Sequence, residues 1–152
     1  MPTAGCFTCD KTRCDLCKNV FVNSQTFSSA QTGKTYFVRK NLLCNSSNVI
    51  YLVHCKKGNL QYVSSTTTEF KVIFRNHKSS MKTNKKTCEV AIHFNRTPHV
   101  LSDFTFQCID QIQTSTSENT ENLYWSAQLF SLSPFGLNKR QEFHSKSRIH
   151  YT

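Results

Sequence analysis

The order of apolar and polar positions predicts a β-hairpin followed by a helix. Residues 49–53, VIYLV, form an unbroken apolar run, which is typical of a strand buried on both faces. Residues 56–59, KKGN, supply a turn, and a second strand follows over residues 60–63. Thr66 and Glu69 have the spacing of a capping box, which predicts a helix start. One apolar face then recurs at steps of three and four residues: Phe70, Ile73, Phe74, His77 and Met81.

Further elements follow this helix. The pattern predicts a short helix over residues 89–95, and the alternation over residues 104–108 indicates a half-buried strand. A last helix is predicted over residues 119–132, ended by residues 133–136, with Leu123, Trp125, Leu129 and Leu132 on its apolar face. A further short strand is expected over residues 35–38.

These elements predict an α/β domain of the α+β type. Its small sheet, mixed or antiparallel, would contain the hairpin and be flanked by helices. The domain would occupy residues 48–138 and follow a cysteine-rich arm, residues 1–47, that also holds the short strand. Residues 139–152 form a basic, polar tail without an apolar pattern, which we expect to be disordered.

Charge points to a polyanionic partner. The chain has 19 Lys and Arg against 9 Asp and Glu, a formal charge of +10, which favours nucleic acid or an acidic membrane surface. On the first predicted helix a wholly basic stripe stands beside the apolar face: Lys71, Arg75, Lys78 and Lys82. Such a stripe is usually a solvated face. Acidic residues do not interleave it in the sequence, and this favours contact with DNA phosphates.

Cysteine usage raises the question of a metal. No signal-peptide pattern and no apolar run of membrane-spanning length is visible, so we expect an intracellular protein with reduced thiols and no membrane partner. Cys6, Cys9, Cys14 and Cys17 form two CxxC pairs, and each pair could hold two corners of a tetrahedral zinc site.

The spacing does not decide which other cysteines would complete a zinc site with these pairs. The gap of four residues between the pairs is short for one site, so Cys14 and Cys17 could instead join Cys44 and Cys55. The alternative is a set of free thiols in a poorly ordered arm. Cys88 and Cys108 are interpreted as core residues.

Several motifs occur in a fixed order along the chain: NVIYL at 48–52, CKK at 55–57, QYV at 61–63, FRNH at 74–77, AIHFN at 91–95 and LSPFGLN at 132–138. In this order and spacing they resemble the GIY-YIG endonuclease domain carried by Penelope-like retroelements. Cys14, Cys17 and the TGKTY run at 32–36 are similar to the segment that precedes this domain in those elements. The relatives often carry a further cysteine near the hairpin turn, where this chain has Gly58, which would leave a zinc site incomplete.

The resemblance implies a chemistry. Enzymes of this family hydrolyse a phosphodiester with one divalent metal, Mg²⁺ or Mn²⁺, held by a glutamate on the last long helix. An arginine on the first helix stabilises the charge on phosphate, while two tyrosines and a histidine help to activate and position water. The resemblance assigns the tyrosines to Tyr51 and Tyr62, the histidine to His77, and a late asparagine to Asn138.

Three positions depart from the family pattern. Ser64 replaces a glycine of the second hairpin motif, and Ile73 replaces the arginine. Arg75 lies about 200° further round the helix and is a poor substitute. Asn122 occupies the position of the metal-binding glutamate, and Glu121 could serve as the metal ligand only if the helix register shifts by one residue. Losing one transition-state stabiliser typically costs about 100- to 1000-fold in rate, so we expect a nuclease fold with impaired or lost hydrolysis.

Three hypotheses about function follow. The leading one is a retroelement-derived, DNA-binding, endonuclease-like domain that cleaves inefficiently or not at all, with a nuclear location. A non-catalytic nucleic-acid-binding module is the second. A retroelement remnant without a selected role is the third, and it predicts poor folding.

Overall fold

A computed structural model describes residues 4–9, 11, 14–112, 118–133 and 135–138, without the side chains of residues 19 and 118–123. The described part is a mixed α+β fold with four α-helices and small sheets. The predicted disordered tail, residues 139–152, lies outside it. Among the described residues no helix combines the length and the apolar character needed to cross a bilayer.

The central sheet has three antiparallel strands: β5 (Val49–Cys55), β6 (Leu60–Thr66) and β7 (Phe104–Gln111). The strand β5 lies between β6 and β7. The predicted hairpin is confirmed, with Tyr51 opposite Ser64 and Val53 opposite Tyr62. As expected of a strand covered on both faces, every residue of β5 except His54 is buried.

One face of the sheet is covered by α2 (Phe70–Thr83). Its predicted apolar face is confirmed, because Phe70, Phe74, His77 and Met81 are all buried. The predicted capping box is wrong. Thr66 ends β6, and its hydroxyl accepts the backbone N–H of Thr68 rather than that of Glu69.

Two smaller helices follow α2 and β7. The helix predicted over residues 89–95 is confirmed as α3 (Glu89–Arg96), and a 3₁₀ turn (Leu101–Asp103) leads from it into β7. α4 (Glu118–Leu129) ends three residues earlier than predicted. The helix stops because Phe130 adopts a left-handed conformation, with φ of 59°. Leu132, predicted to be on the helix, therefore lies beyond it.

The other face of the sheet is covered by residues 26–28 of the segment before it, where the carbonyls of Thr26 and Ser28 accept the side-chain amides of Gln107 and Gln61. That segment contains β1 (Gly5–Phe7), α1 (Asp15–Asn19), β2 (Thr26–Ser28), β3 (Thr35–Phe37) and β4 (Asn41–Leu43). β2 and β3 form an antiparallel hairpin, and β1 pairs with β4 in parallel. The strand predicted over residues 35–38 is thus confirmed as β3.

This covering changes the burial of β7. The strand was predicted to be half-buried, but Gln107, one of its polar positions, is also buried, as is Ile109 just beyond the predicted range. The side-chain amide of Gln107 donates a hydrogen bond to the carbonyl of Thr26, at 2.9 Å, which satisfies it without water. The core is continuous across both segments, since Leu16, Phe27 and Leu42 belong to the same cluster of buried side chains as the sheet.

Candidate functional site

Four cysteines converge at one end of the molecule. Cys9 follows β1, Cys14 and Cys17 lie at the start of α1 and within it, and Cys44 follows β4. Their four Sγ atoms all lie within 4.8 Å of one another. The parallel pairing of β1 with β4 is what brings Cys44 beside Cys9, because both cysteines leave their strands in the same direction.

The spacing of the sulfur atoms fits zinc. Tetrahedral Zn–S bonds of about 2.3 Å place neighbouring sulfurs about 3.8 Å apart. The Sγ atoms of Cys14 and Cys44 are 3.7 Å apart, which matches that spacing and is far too long for a disulfide. The four residues therefore offer the ligand set and the geometry of a structural zinc site.

The pKa values of the cysteine thiols also bear on metal binding. A hydrogen bond from the backbone N–H of Lys11 lowers the pKa of the Cys9 thiol to about 7. Burial raises the pKa of Cys17 to about 11 and also raises the pKa of Cys44. Thiolates at such positions need a compensating cation, and a bound metal displaces their protons.

The cluster corrects the predicted ligand set. Cys9, not Cys55, completes the group with Cys14, Cys17 and Cys44. β5 rises about 3.3 Å per residue, so Cys55 at its far end lies about 20 Å from the end that adjoins Cys44. Cys6 is also excluded, since it is buried in the core and its sulfur accepts the backbone N–H of Cys108 at 3.4 Å.

A second cluster was not foreseen from the sequence. It joins Cys55 with His93 and His99, whose ligand atoms lie within 4.8 Å of one another. The Nε2 atom of His93 is 3.3 Å from the sulfur of Cys55. A Cβ added to Gly58 would lie 3.4 Å from the His93 ring, so a cysteine at this position of the turn would adjoin this cluster. The signal that could have found it is the pair of histidines downstream of a hairpin-turn cysteine.

Tyr51, Tyr62 and His77 meet where the hairpin packs against α2. The Tyr51 hydroxyl and the Nε2 atom of His77 form a hydrogen bond of 2.9 Å. The ring centres of Tyr62 and His77 are 6.1 Å apart. The structure thus brings together the two tyrosines and the histidine that the resemblance assigns to one site; their catalytic role remains a prediction.

This constellation is largely closed to solvent. Tyr51 is 2% exposed, Tyr62 9% and His77 7%. Burial lowers the pKa of His77 to about 4, so the imidazole is neutral at physiological pH. The His77 tautomer decides whether its Nε2 atom donates to or accepts from the Tyr51 hydroxyl, and the low exposure of all three side chains limits the access of a phosphodiester to them.

The structure describes the side chains at two of the three positions that depart from the GIY-YIG pattern, Ser64 and Ile73. Ile73 lies one turn before His77 and is partly buried against the core, whereas Arg75 is exposed on another side of α2. Ser64 shares a face of the sheet with Tyr51 and is half-buried. The side chains of Glu121 and Asn122 lie outside the described part of the structure.

Asn138 acts as a structural link. Its amide oxygen accepts the backbone N–H of Val63 at 2.8 Å and the hydroxyl of Ser131 at 2.7 Å. Its amide nitrogen donates to the carbonyl of Val63 at 2.7 Å. The fully buried side chain of Asn138 thus pairs with the backbone of β6 and joins the segment after α4 to the sheet.

The basic stripe of α2 carries two ion pairs that the sequence interpretation did not include. Lys78 is 2.5 Å from Asp15 on α1, and Lys71 is 3.5 Å from Glu69. Arg75 and Lys82 are exposed and have no ion pair among the described residues. The expectation that acidic partners are missing is therefore wrong for half of the stripe. Asp15, the partner of Lys78, comes from a distant part of the sequence, and Glu69, the partner of Lys71, directly precedes the helix.

Comparisons with protein-family models, with curated proteins and with solved structures found no match for this chain.

Proposed function

We propose that this chain is a zinc-stabilised, DNA-binding domain related to the GIY-YIG endonucleases of Penelope-like retroelements, with impaired or lost phosphodiester hydrolysis. The observation that carries the proposal is the meeting of Tyr51, Tyr62 and His77 between the hairpin and α2. The three residues come from three elements, β5, β6 and α2, and their convergence supports the proposal.

Two observations support the loss of hydrolysis. The arginine position is held by Ile73, whose side chain cannot stabilise charge on phosphate. In the described part of the chain, both groups of potential metal ligands consist of Cys and His, whereas Mg²⁺ and Mn²⁺ prefer carboxylate oxygens. A hard metal bound near Tyr51 would therefore depend on the helix around Glu121 and Asn122.

A second function, binding nucleic acid without any chemistry, is supported by the burial of the tyrosine–histidine group. With those side chains packed into the core, a polyanion would meet surface cations, and Arg75 and Lys82 of the basic stripe are exposed for such a contact. In either case we propose a nuclear location, where the protein would reach DNA, and no role for a membrane.

The metal proposal is tested by analysis of the purified protein. We expect about one zinc per chain, lost in Cys17→Ser and retained in Cys88→Ser, since Cys88 lies outside the four-cysteine cluster. Failure to bind zinc in a folded protein would contradict the proposed site.

The function is tested with supercoiled plasmid and a DNA-binding assay in parallel. The unmodified protein should bind DNA yet produce no nicking above background with Mg²⁺ or Mn²⁺. Efficient nicking that is abolished in Tyr51→Phe would show that activity persists. A protein that neither folds nor binds DNA would favour the retroelement remnant.

A further inference from the structure

A groove runs between α2 and the segment around α3. Its floor is apolar and is formed by Met81, Phe94 and Leu101, and its volume is about 550 Å³. Phe94 is partly buried and packs beside His99 and Phe104, which hold its ring in place. A volume of this size accommodates a small planar group, as ordinary ligand pockets do.

The rim of the groove is basic. Arg75, Lys78 and Lys82 border it, and among the described residues no acidic side chain lines it. Lys78 is paired with Asp15, so the exposed cations of the rim are Arg75 and Lys82. Arg75 and Lys78 also border a second cavity of about 210 Å³ beside the four-cysteine cluster. Lys11, Lys71 and the acidic residue Asp15, the partner of Lys78, line that cavity as well. Because the two cavities share Arg75 and Lys78, they form one largely basic track along α2.

We propose that this track binds single-stranded nucleic acid, with one unstacked base in the groove beside Phe94 and the adjoining phosphates on Arg75 and Lys82. The proposal rests on the nucleic-acid binding proposed above and names its surface and the form of its ligand. An apolar floor with an aromatic ring, bordered by cations, is the arrangement that single-strand binders use, because every base has a face that can stack and phosphates follow it on either side.

A duplex fits this surface less well. Its bases are stacked and paired, so only its phosphates could meet the rim while the apolar floor would stay empty. Freeing a base from a duplex costs a few kcal/mol, whereas a single strand offers its bases at little cost. The groove therefore discriminates by the state of the strand, not by sequence.

Binding should be measured by fluorescence anisotropy with labelled oligo-dT of about 12 nucleotides, and with a duplex of the same length. We expect the single strand to bind at least about tenfold more tightly. Phe94→Leu keeps an apolar side chain but removes the stacking ring, and should weaken oligo-dT binding about tenfold without affecting the duplex. Phe94→Tyr keeps the ring and should bind as the unmodified protein does.

Charge is tested separately at exposed positions, where folding is not at risk. The double variant Arg75→Gln with Lys82→Gln should lower the log–log salt slope for oligo-dT by about 1.4, which is about 0.7 for each lost phosphate contact. The matched control, Lys34→Gln with Arg39→Gln, removes two exposed charges in or next to the β2–β3 hairpin, which covers the opposite face of the sheet, and should leave the slope unchanged.

The outcomes separate this inference from the proposed function. Duplex binding that equals or exceeds oligo-dT binding, with Phe94→Leu and the charge variant both without effect, would overturn the single-strand groove and leave DNA binding standing. Absence of binding to either nucleic acid at low salt would overturn both. Displacement of oligo-dT by polyglutamate at equal charge concentration would assign the track to an acidic polypeptide. If Phe94→Leu does not fold, crosslinking of 5-iodouracil oligonucleotide to Phe94, read by mass spectrometry, decides the question.

Discussion

His77 is deeply buried and hydrogen-bonded to Tyr51, so protonation of its imidazole opposes folding. Burial lowers its pKa from 6.5 to about 4, so the folded protein favours the neutral imidazole. Because the pKa of His77 is lower in the folded state than in the unfolded state, the stability contributed by the neutral imidazole is fully present above pH 6.5. It declines as pH falls through the window from 6.5 to about 4, where the unfolded state takes up the proton first.

We predict that His77→Gln, which can still hydrogen-bond to Tyr51, removes this component of acid sensitivity. Between pH 7 and pH 4 the free energy of unfolding of the unmodified protein should fall by about 3 kcal/mol more than that of the variant. Urea unfolding across this pH range measures the difference. If zinc occupies the proposed site, its release by acid would affect both proteins and cancel in the comparison. Equal losses would assign the acid sensitivity to other groups.

Asn138 is a second residue whose position predicts a measurable effect on stability. Asn138→Ala removes three buried hydrogen bonds and leaves the N–H and carbonyl of Val63 without partners. We expect the free energy of unfolding to fall by about 2–4 kcal/mol, with a Tm lower by roughly 10 °C. Asn41→Ala, at an exposed position of β4, is the matched control and should change stability by less than about 0.5 kcal/mol. Unchanged stability in Asn138→Ala would contradict the structural role.

At the scale of elements, the four-cysteine cluster connects α1 with the start of α2. The carbonyls of Cys44 and Ser46 accept the backbone N–H groups of Lys71 and Phe70, which are the first two of the helix. These bonds replace the side-chain cap that Thr66 and Glu69 were expected to form. The ion pair between Lys78 and Asp15 ties α1 to the middle of the same helix.

We predict that removing zinc loosens this junction before it loosens the sheet. With a chelator, hydrogen–deuterium exchange should accelerate in α1 and in the first turn of α2 by about tenfold or more, and change little in β5, where both faces remain covered. Cys88→Ser, treated in the same way, should respond as the unmodified protein does. Uniform acceleration across β5 would mean that the metal supports the whole fold; no acceleration anywhere would mean that it supports none of it.

The elements that the sequence predicts well are those defined by local patterns. The hairpin, the buried face of α2 and the short α3 each follow from periodicity or turn chemistry within about 15 residues. The parallel pairing of β1 with β4 could not be found this way, because each strand has three residues and 33 residues separate them. Without that pairing, Cys55 could be placed in the metal site in error. The end of α4 was also missed, since Phe130 is an unusual residue for a left-handed position.

At the scale of the whole molecule, the two faces of the central sheet have different roles. One face packs against α2 and contains Tyr51, Tyr62 and His77, while the other is sealed by the β2–β3 hairpin through Gln61 and Gln107. The proposed zinc site lies beside the N-terminal half of α2, and the proposed groove lies along its C-terminal half. One helix therefore connects the proposed zinc site, the group formed by Tyr51, Tyr62 and His77, and the proposed nucleic-acid surface.

That connection makes restoration of catalysis the most demanding test of the proposed ancestry. We predict that Ile73→Arg combined with Asn122→Glu produces metal-dependent nicking, while each change alone does not. Metal binding and charge stabilisation act on one transition state, so their effects need not add, and the double variant should exceed either single one by about 100-fold. An arginine at position 73 can be accommodated, because Ile73 is only partly buried and the long side chain can extend to water.

The measurement is conversion of supercoiled plasmid to the open circle with Mn²⁺, and the matched control is the double variant carrying Tyr51→Phe, which should be inactive. Ser64→Gly is the natural third change if the half-buried Ser64 side chain obstructs the substrate. A folded, zinc-bound double variant that binds DNA but never nicks it, with or without Ser64→Gly, would argue against a nuclease site at Tyr51 and His77. Efficient nicking by the unmodified chain would instead mean that the lost positions are dispensable, and Glu121 would then be the first residue to test as the metal ligand.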